Sequence, residues 1–328
     1  MLLFSLAIII GLVLLAWSAD RFVLGAANLA RLTGISPLTV GMVVVGFGTS
    51  APEILVSIIA ALNGAPGMAL GNAVGSNITN IALILGITAV VTPLAVHSRI
   101  VKRELPIVLG VGIFSWLLLR DGYTSQLDGF ILLTTLGSLL AWLVYSTRKS
   151  FFLEPLTAEI TGEVQEMGEG QSMKAAIFWT IAGLILLIIS SRLLVWGASG
   201  IATAFGISDL IIGLTIVAIG TSLPELAASI TSARKGEADL AVGNIVGSNL
   251  FNNLAVIGLP AMLHPLETPP DLLTRDLPIM IGLTLLLILF NFTPPKSNLI
   301  TRPEGVILLA VFVGYQILLY IQSVPGGA

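Results

Sequence analysis

Cysteine is absent from this 328-residue chain, and charged residues make up only 10% of it. The absence of cysteine excludes disulfides, thiol catalysis and metal sites built on thiolates. The formal net charge of -3 is too small to favour binding to nucleic acid. The chain also lacks a Ser-His-Asp set, a metalloprotease motif and a phosphate-binding loop, so we expect neither enzyme activity nor a bound cofactor.

Apolar sequence, in contrast, is abundant: 55% of the residues are hydrophobic and the mean hydropathy is +1.00. A helix that crosses a bilayer needs about 20 mostly apolar residues. The chain therefore reads as an all-α membrane protein in contact with the lipid bilayer. Apolar runs predict ten transmembrane helices, at 2–19, 36–62, 68–92, 104–120, 128–146, 173–191, 207–233, 239–263, 275–291 and 303–322.

The two halves of the chain resemble each other. A shift of 172 positions aligns them without a gap from about Gly11 to Pro106 and places Glu53 on Glu225. The resemblance peaks at GFGTSAPEILVS against AIGTSLPELAAS, and at ALGNAVGSNITN against AVGNIVGSNLFN. Because each half has an odd number of helices, the second half must enter the membrane from the opposite side. The sequence thus predicts two inverted five-helix repeats, an arrangement common in secondary transporters.

The repeat divides the chain into three segments. Residues 1–146 form the first five-helix repeat, with its motif at about 41–85, and residues 173–328 form the second, with its motif at about 213–257. Residues 147–172 are predicted to be an acidic linker, too short to contain a folded domain. If the N-terminus lies outside, twelve of the 15 Lys and Arg residues fall on the inner side. The positive-inside rule then places both termini outside and the linker in the cytoplasm.

Two acidic residues, Glu53 and Glu225, fall well inside the predicted spans. A carboxylate within a membrane helix is costly and usually marks an ion path or a proton relay. Because the two glutamates are equivalent in the repeat, an inverted two-fold axis could bring them together near the middle of the membrane. The alternative is a protonated carboxyl group buried for packing alone.

Each glutamate follows a helix-breaking proline, Pro52 or Pro224. Proline removes a backbone donor and so frees a carbonyl oxygen in the preceding turn. Free carbonyls, hydroxyls and a carboxylate together form an oxygen cluster that suits hard cations, although a simple proline kink is the alternative. The hydroxyls in question belong to Thr49, Ser50, Thr221 and Ser222.

The helix after each glutamate has polar residues on one face, spaced at i, i+4 and i+8. Their oxygens could complete a cation shell without adding charge, or they could form hydrogen bonds between helices. These residues are Asn72, Ser76 and Asn80 in the first half and Asn244, Ser248 and Asn252 in the second.

Glycine pairs with GxxxG spacing accompany these polar faces and are predicted to allow close helix packing. They are Gly71 with Gly75 and Gly243 with Gly247. His97 and His264 lie in or beside connections without the spacing of metal ligands, and we expect both at the membrane interface.

The motifs GTSAPE with GNAVGSNITN, and GTSLPE with GNIVGSNLFN, resemble the two alpha repeats of the sodium/calcium exchanger family. The resemblance covers nearly the whole chain and is greatest to compact prokaryotic members. It implies a protein of the prokaryotic plasma (inner) membrane that exchanges Ca²⁺ for Na⁺ by alternating access. Glu53 and Glu225 would then bind the transported Ca²⁺ and Na⁺, helped by Thr49 and Thr221.

The same resemblance implies that Ser50, Ser76, Ser222 and Ser248 shape flanking sodium sites and that Asn80 occupies a central position. One position departs from the family pattern: Asn252 stands where sodium-driven members usually have Asp. The departure leaves K⁺ or H⁺ coupling open. The oxygen chemistry alone leaves transport of Mn²⁺ or Mg²⁺ open, and a channel or uniporter of the same fold is the alternative mechanism.

Overall fold

The computed structural model describes residues 2–95, 100–153, 172–204, 218–290 and 299–323. Most of these residues are helical, and short strands lie in the connections. The helices are α1 (Leu2–Thr33), α2 (Pro37–Thr49), α3 (Ala51–Leu62), α4 (Pro66–Val91), α5 (Leu105–Leu119), α6 (Gln126–Leu153), α7 (Met173–Ala204), α8 (Ala218–Thr221), α9 (Leu223–Arg234), α10 (Ala238–Leu263), α11 (Leu277–Phe290) and α12 (Arg302–Ser323). The strands are β1 (Leu94–Ala95), β2 (Tyr123–Thr124), β3 (Leu266–Glu267) and β4 (Leu299–Ile300).

The described residues contain most of the predicted membrane helices, and the predicted count of ten is not confirmed by them. Within the described residues, seven helices are long and apolar enough to cross a membrane, or eight if α2 and α3 together form one broken span. The predicted span at 104–120 corresponds to α5, which has only 15 residues. The span predicted at 207–233 lies partly outside the described residues, because its first eleven residues, 207–217, are not described. The same gap includes 213–217, the start of the motif predicted at about 213–257.

Three helices are longer than predicted because they continue past their predicted apolar stretches, and one of them, α7, continues from the predicted end at 191 to Ala204. The first continues through Asp20 and Arg21 to Thr33 and stops before Gly34, which adopts a φ of 66°. Glycine is the residue that takes this left-handed conformation most readily, and it commonly ends helices. The sixth, α6, continues to Leu153, so the first seven residues of the predicted linker are helical. Residues 154–171 of that linker lie outside the described residues.

Helix boundaries repeat between the halves at the offset seen in the sequence. The start of α3 at Ala51 corresponds to the start of α9 at Leu223, and both helices have 12 residues. Likewise α4 and α10 are both 26 residues long and begin at equivalent positions. The polar motifs of the two halves therefore lie on matching helices.

π-helical turns mark several of these helices, and two pairs of them lie at equivalent positions in the two halves, at 79–85 with 252–256 and at 100–104 with 272–276. The segment equivalent to Gly41–Val45 lies outside the described residues. Single π turns are frequent at functional sites, because they interrupt the regular i to i+4 hydrogen bonding of the helix. They comprise Gly41–Val45 within α2, Thr79–Leu85 within α4, Asn252–Val256 within α10, and the turns Ile100–Glu104 and Leu272–Asp276 that precede α5 and α11.

The chain forms two compact units, and each contains parts of both sequence halves. The first unit comprises Met1–Thr49 and Thr134–Gly247, and the second comprises Ser50–Leu133 and Ser248–Ala328. The sequence repeats at 1–146 and 173–328 are therefore not the compact units of the fold. The chain passes between the units three times: at the helix break before α3, within α6 and within α10.

In the first unit, α1 and α7 pack antiparallel along most of their length. Glycines allow this close approach: a Cβ at Gly25 would lie 2.5 Å from the backbone nitrogen of Thr180, and one at Gly183 would lie 2.7 Å from the backbone of Phe22. Apolar residues of α1, α2 and α7 form the core with Ala228 of α9. On the cytoplasmic side of the predicted topology, two ion pairs of 2.7 Å, Arg31–Glu237 and Asp20–Lys235, join α1 to the turn after α9.

In the second unit, two antiparallel strand pairs join connections distant in sequence. Leu94 of β1 pairs with Ile300 of β4, and Tyr123 of β2 pairs with Glu267 of β3. Each pair joins two connections that the predicted topology places on the same side of the membrane. In this unit, α4 packs against α3 and against the π turn of α10, while α12 packs against α4.

Candidate cation-binding site

Glu53 lies in the first turn of α3, directly after an interruption of the helix. The preceding helix ends at Thr49, and Pro52 occupies the start of α3. Since proline has no N–H, the carbonyl of Gly48 lacks its usual helical donor. The Glu53 side chain is only 1% exposed.

The second half repeats this arrangement around Glu225. The interruption falls at Ser222, Pro224 starts α9, and Glu225 is 1% exposed. One difference concerns the free carbonyl expected before the proline. The hydroxyl of Ser191 donates to the carbonyl of Gly220 over 2.6 Å, so this carbonyl already has a partner.

Asn72 and Asn244 have the same role in their respective units, and that role is structural. The Nδ2 of Asn72 donates to the backbone carbonyl of Glu53 (3.0 Å) and to Ser57 Oγ (2.9 Å). The Nδ2 of Asn244 donates to the carbonyl of Glu225 (3.3 Å) and to Ser229 Oγ (3.0 Å). Each asparagine therefore fixes the first turn of the helix that carries the glutamate.

Thr49 lies at the end of α2 and is fully buried. Its hydroxyl is 3.1 Å from the carbonyl of Val45 and 3.0 Å from Oδ1 of Asn244. Asn244 thus connects Thr49 with the helix of Glu225 inside the first unit. In the same unit Ser222 is buried, whereas Thr221 is partly exposed.

The second unit contains buried acceptor oxygens that have no hydrogen-bond partner among the described residues. They include Ser50 Oγ, Asn80 Oδ1 and Asn252 Oδ1, which belong to residues of the predicted site. Asn77 Oδ1 and Asn253 Oδ1 in the same unit also have no partner among the described residues. A buried acceptor without a donor costs about 1–3 kcal/mol, so it needs a ligand or another compensation. Ser76 and Ser248 are buried in this unit as well. Asn80 and Asn252 both lie in π turns, at equivalent positions of α4 and α10.

Positive charge is scarce around these oxygens. Among the described residues, no Lys or Arg side chain is buried. Nor do the described residues contain a group of three His, Asp or Glu side chains that could hold a metal ion by charge alone. The candidate site is therefore a set of hydroxyl and amide oxygens in the same compact unit as the Glu53 carboxylate. Oxygen ligands of this kind are the ones that hard cations prefer.

Comparison with known proteins identifies the family. A family model described as sodium/calcium exchanger protein matches residues 3–145 and 175–321. The chain belongs to the sodium/calcium exchanger family. The exchanger is therefore a membrane transporter rather than an enzyme, and its activity is cation antiport.

Individual relatives cover almost the whole exchanger. It is 46% identical to the putative antiporter CaxA of Alkalimonas amylolytica, over 98% of this chain and 99% of that protein. It is 41% identical to the inner membrane protein YrbG of Escherichia coli (strain K12), over 98% of both chains. A solved structure of the sodium-calcium exchanger NCX_Mj, soaked with zero Na⁺ and Ca²⁺, matches with a TM-score of 0.83 at 32% identity, covering 97% of this chain and 99% of that chain.

The glycine pairs of the exchanger differ in what the structure shows around them. A Cβ at Gly243 would lie 2.5 Å from the carbonyl of Leu38, and one at Gly247 would collide with the backbone of Met42. Near Gly71 and Gly75, no described atom lies within 4 Å of the corresponding Cβ positions. The segment equivalent to 38–42 is 210–214, which lies outside the described residues, so the packing role of this pair remains a prediction.

Three functional details were missed by the sequence reasoning. Ser57 and Ser229 anchor the asparagines that hold the glutamate helices, and Asn249 contacts Asn80. All three lie within the quoted motifs, where identity at the repeat offset was the available signal. Of the two histidines, His264 is exposed at the end of α10, and His97 lies outside the described residues.

Proposed function

We propose that the exchanger transports Ca²⁺ in exchange for Na⁺, using one site that the two ions occupy alternately. The observation that supports this most is the set of buried oxygens without donors, on Ser50, Asn80 and Asn252, in the unit that contains Glu53. Such oxygens are costly without a cation and favourable with one.

The charge of the site is set by two carboxylates. The repeat equivalence of Glu53 and Glu225 supports a common site, to which Thr49, Thr221, Ser76, Ser222 and Ser248 add hydroxyl or carbonyl oxygens. Two carboxylates neutralise one divalent ion or two monovalent ions. A single site can therefore be occupied by Ca²⁺ or by Na⁺, but not by both, which couples their movements in opposite directions.

We place this exchange in a prokaryotic plasma membrane, with both termini outside and the linker in the cytoplasm. The name of the Escherichia coli relative, an inner membrane protein, supports the compartment. The distribution of Lys and Arg supports the orientation. We further propose that α1 and α7, which pack closely on each other, move together during alternating access.

The experiment is a flux assay with purified protein in liposomes. Labelled calcium is supplied outside, and outward gradients of Na⁺, K⁺ or H⁺ are imposed in turn. We expect the Na⁺ gradient to accelerate calcium uptake and to drive it above equilibrium. Acceleration by K⁺ or H⁺ instead would identify a different counter-ion. Uptake that no gradient accelerates, and that stops at equilibrium, would contradict antiport and indicate a channel or uniporter.

A further inference from the structure

The side chain of Asn80 is held by a second asparagine. Asn80 Nδ2 donates to Oδ1 of Asn249 over 3.1 Å, and both side chains are buried, at 1% and 2% exposure. Asn80 Oδ1 has no hydrogen-bond partner among the described residues. Both residues belong to the unit that contains Glu53.

This contact determines which end of the Asn80 amide is available to an ion. An asparagine side chain has an oxygen that can bind a cation and an NH₂ group that cannot. If the Asn80 amide alone rotated by 180°, with Asn249 in the observed orientation, its oxygen would face the oxygen of Asn249 and the hydrogen bond would be lost. The acceptor on Asn249 therefore keeps the NH₂ group of Asn80 turned towards itself and leaves Oδ1 for a ligand.

We infer that Asn249 is a positioning residue that keeps the carbonyl oxygen of Asn80 oriented for cation binding. This inference rests on the proposed function, in which Asn80 is a cation ligand. Asn249 acts through its side-chain oxygen. Its backbone carbonyl has a separate role, since it accepts a 3.0 Å hydrogen bond from Asn253 Nδ2 in the π turn of α10. A side-chain substitution at Asn249 leaves that second bond in place.

The repeat supplies a matched control. Asn77 is equivalent to Asn249 and equally buried, but its Nδ2 donates to Met280 Sδ over 3.2 Å. Its Oδ1 has no partner in the described part of the chain, so it does not receive the hydrogen bond from Asn252 that the symmetry would predict. The two asparagines thus share residue type, burial and unit, and within the described residues only Asn249 accepts a hydrogen bond from an amide of the proposed site.

The test measures calcium binding to the purified full-length protein by equilibrium binding of labelled Ca²⁺. Asn249→Leu removes the acceptor, and we expect a roughly ten-fold rise in Kd, the scale of one hydrogen bond. Asn249→Asp keeps an acceptor facing Asn80 and should bind calcium at least as tightly as the natural protein. Asn77→Leu should change Kd by less than about two-fold, because it removes no contact of the site.

A double variant separates positioning from general packing. If Asn249 acts through Asn80, then Asn80→Ala with Asn249→Leu should bind calcium no more weakly than Asn80→Ala alone, because coupled effects are not additive. Additive losses, equal losses in Asn249→Leu and Asn77→Leu, or a loss in Asn249→Asp as large as in Asn80→Ala would each overturn the inference. Unchanged calcium binding in Asn80→Ala would instead contradict the proposed site itself.

Discussion

Replacing Glu53 by Gln should abolish high-affinity calcium binding while leaving the protein folded. The substitution removes one negative charge from the buried start of α3 and changes the volume of the side chain very little. The backbone carbonyl of Glu53, which accepts from Asn72, is not altered. A charged group at the centre of a membrane helix costs about 2.5–3.5 kcal/mol on insertion scales. Without ions, the variant should therefore be at least as stable as the natural protein.

The size of the binding defect follows from the burial of the carboxylate. At 1% exposure, Glu53 has almost no contact with water that could take over its role. Removing one partner of a buried charge pair typically costs about 2–5 kcal/mol. At about 1.4 kcal/mol for each factor of ten, this corresponds to a roughly 30- to 4,000-fold rise in the Kd for calcium.

Thermal unfolding in detergent, with and without calcium, measures this defect. Calcium at 100 times its Kd stabilises a protein by about 2.7 kcal/mol, whereas a 30-fold rise in Kd reduces that stabilisation to about 0.9 kcal/mol at the same concentration. The control is Glu267→Gln, which makes the same charge change at an exposed position in β3. The reasoning is refuted if calcium raises the Tm of Glu53→Gln as much as that of the natural protein, or if Glu267→Gln loses as much stabilisation.

Three further predictions concern other parts of the molecule. Asn252→Asp should change the calcium affinity or the pH dependence of transport, because it adds a third carboxylate that either stays charged or takes up a proton. If the calcium affinity and the pH dependence of the variant both match those of the natural protein, Asn252 does not face the ion. Gly247→Ala should lower the free energy of unfolding by roughly 1–3 kcal/mol, because the added Cβ would force the backbone of Met42 away. Gly137→Ala should not lower it, because no described atom lies within 4 Å of the added Cβ. Equal effects of the two substitutions in a thermal unfolding assay would contradict this reasoning. Lys235→Ala breaks the partly exposed ion pair with Asp20 and should lower the free energy of unfolding by less than about 1 kcal/mol. The difference in Tm from the natural protein should vanish at high salt. A loss of stability that salt does not reduce would indicate a packing role for Lys235 instead.

The sequence predicted the helical membrane fold, and it placed the candidate residues on helices that correspond between the two halves, because both follow from strong local signals. Long apolar runs define the spans, and the exact repetition of the motifs around Glu53 and Glu225 places them on equivalent helices. The interruptions at Ser50 and Ser222 follow from the prolines two residues later, whose missing N–H acts wherever the residue lies in the fold.

Other features depend on tertiary contacts and could not be read from the pattern. The face shared by Asn72, Ser76 and Asn80 gave no sign that Asn72 binds backbone while Asn80 keeps a free oxygen. The two amides have different partners in the fold: Asn72 Nδ2 donates to the backbone carbonyl of Glu53, whereas Asn80 Nδ2 donates to Asn249 Oδ1. The compact units were likewise not predictable from the repeat, since α10 contributes residues to both.

The central claim, that Ca²⁺ and Na⁺ share one site, is tested most directly by their competition at equilibrium. Labelled Ca²⁺ bound to the purified protein is titrated with NaCl, with choline chloride keeping the ionic strength constant. The account predicts complete displacement of calcium with a Hill coefficient above 1, because at least two Na⁺ ions must replace one Ca²⁺. Calcium binding that Na⁺ leaves unchanged, or lowers only in part, would contradict a shared site.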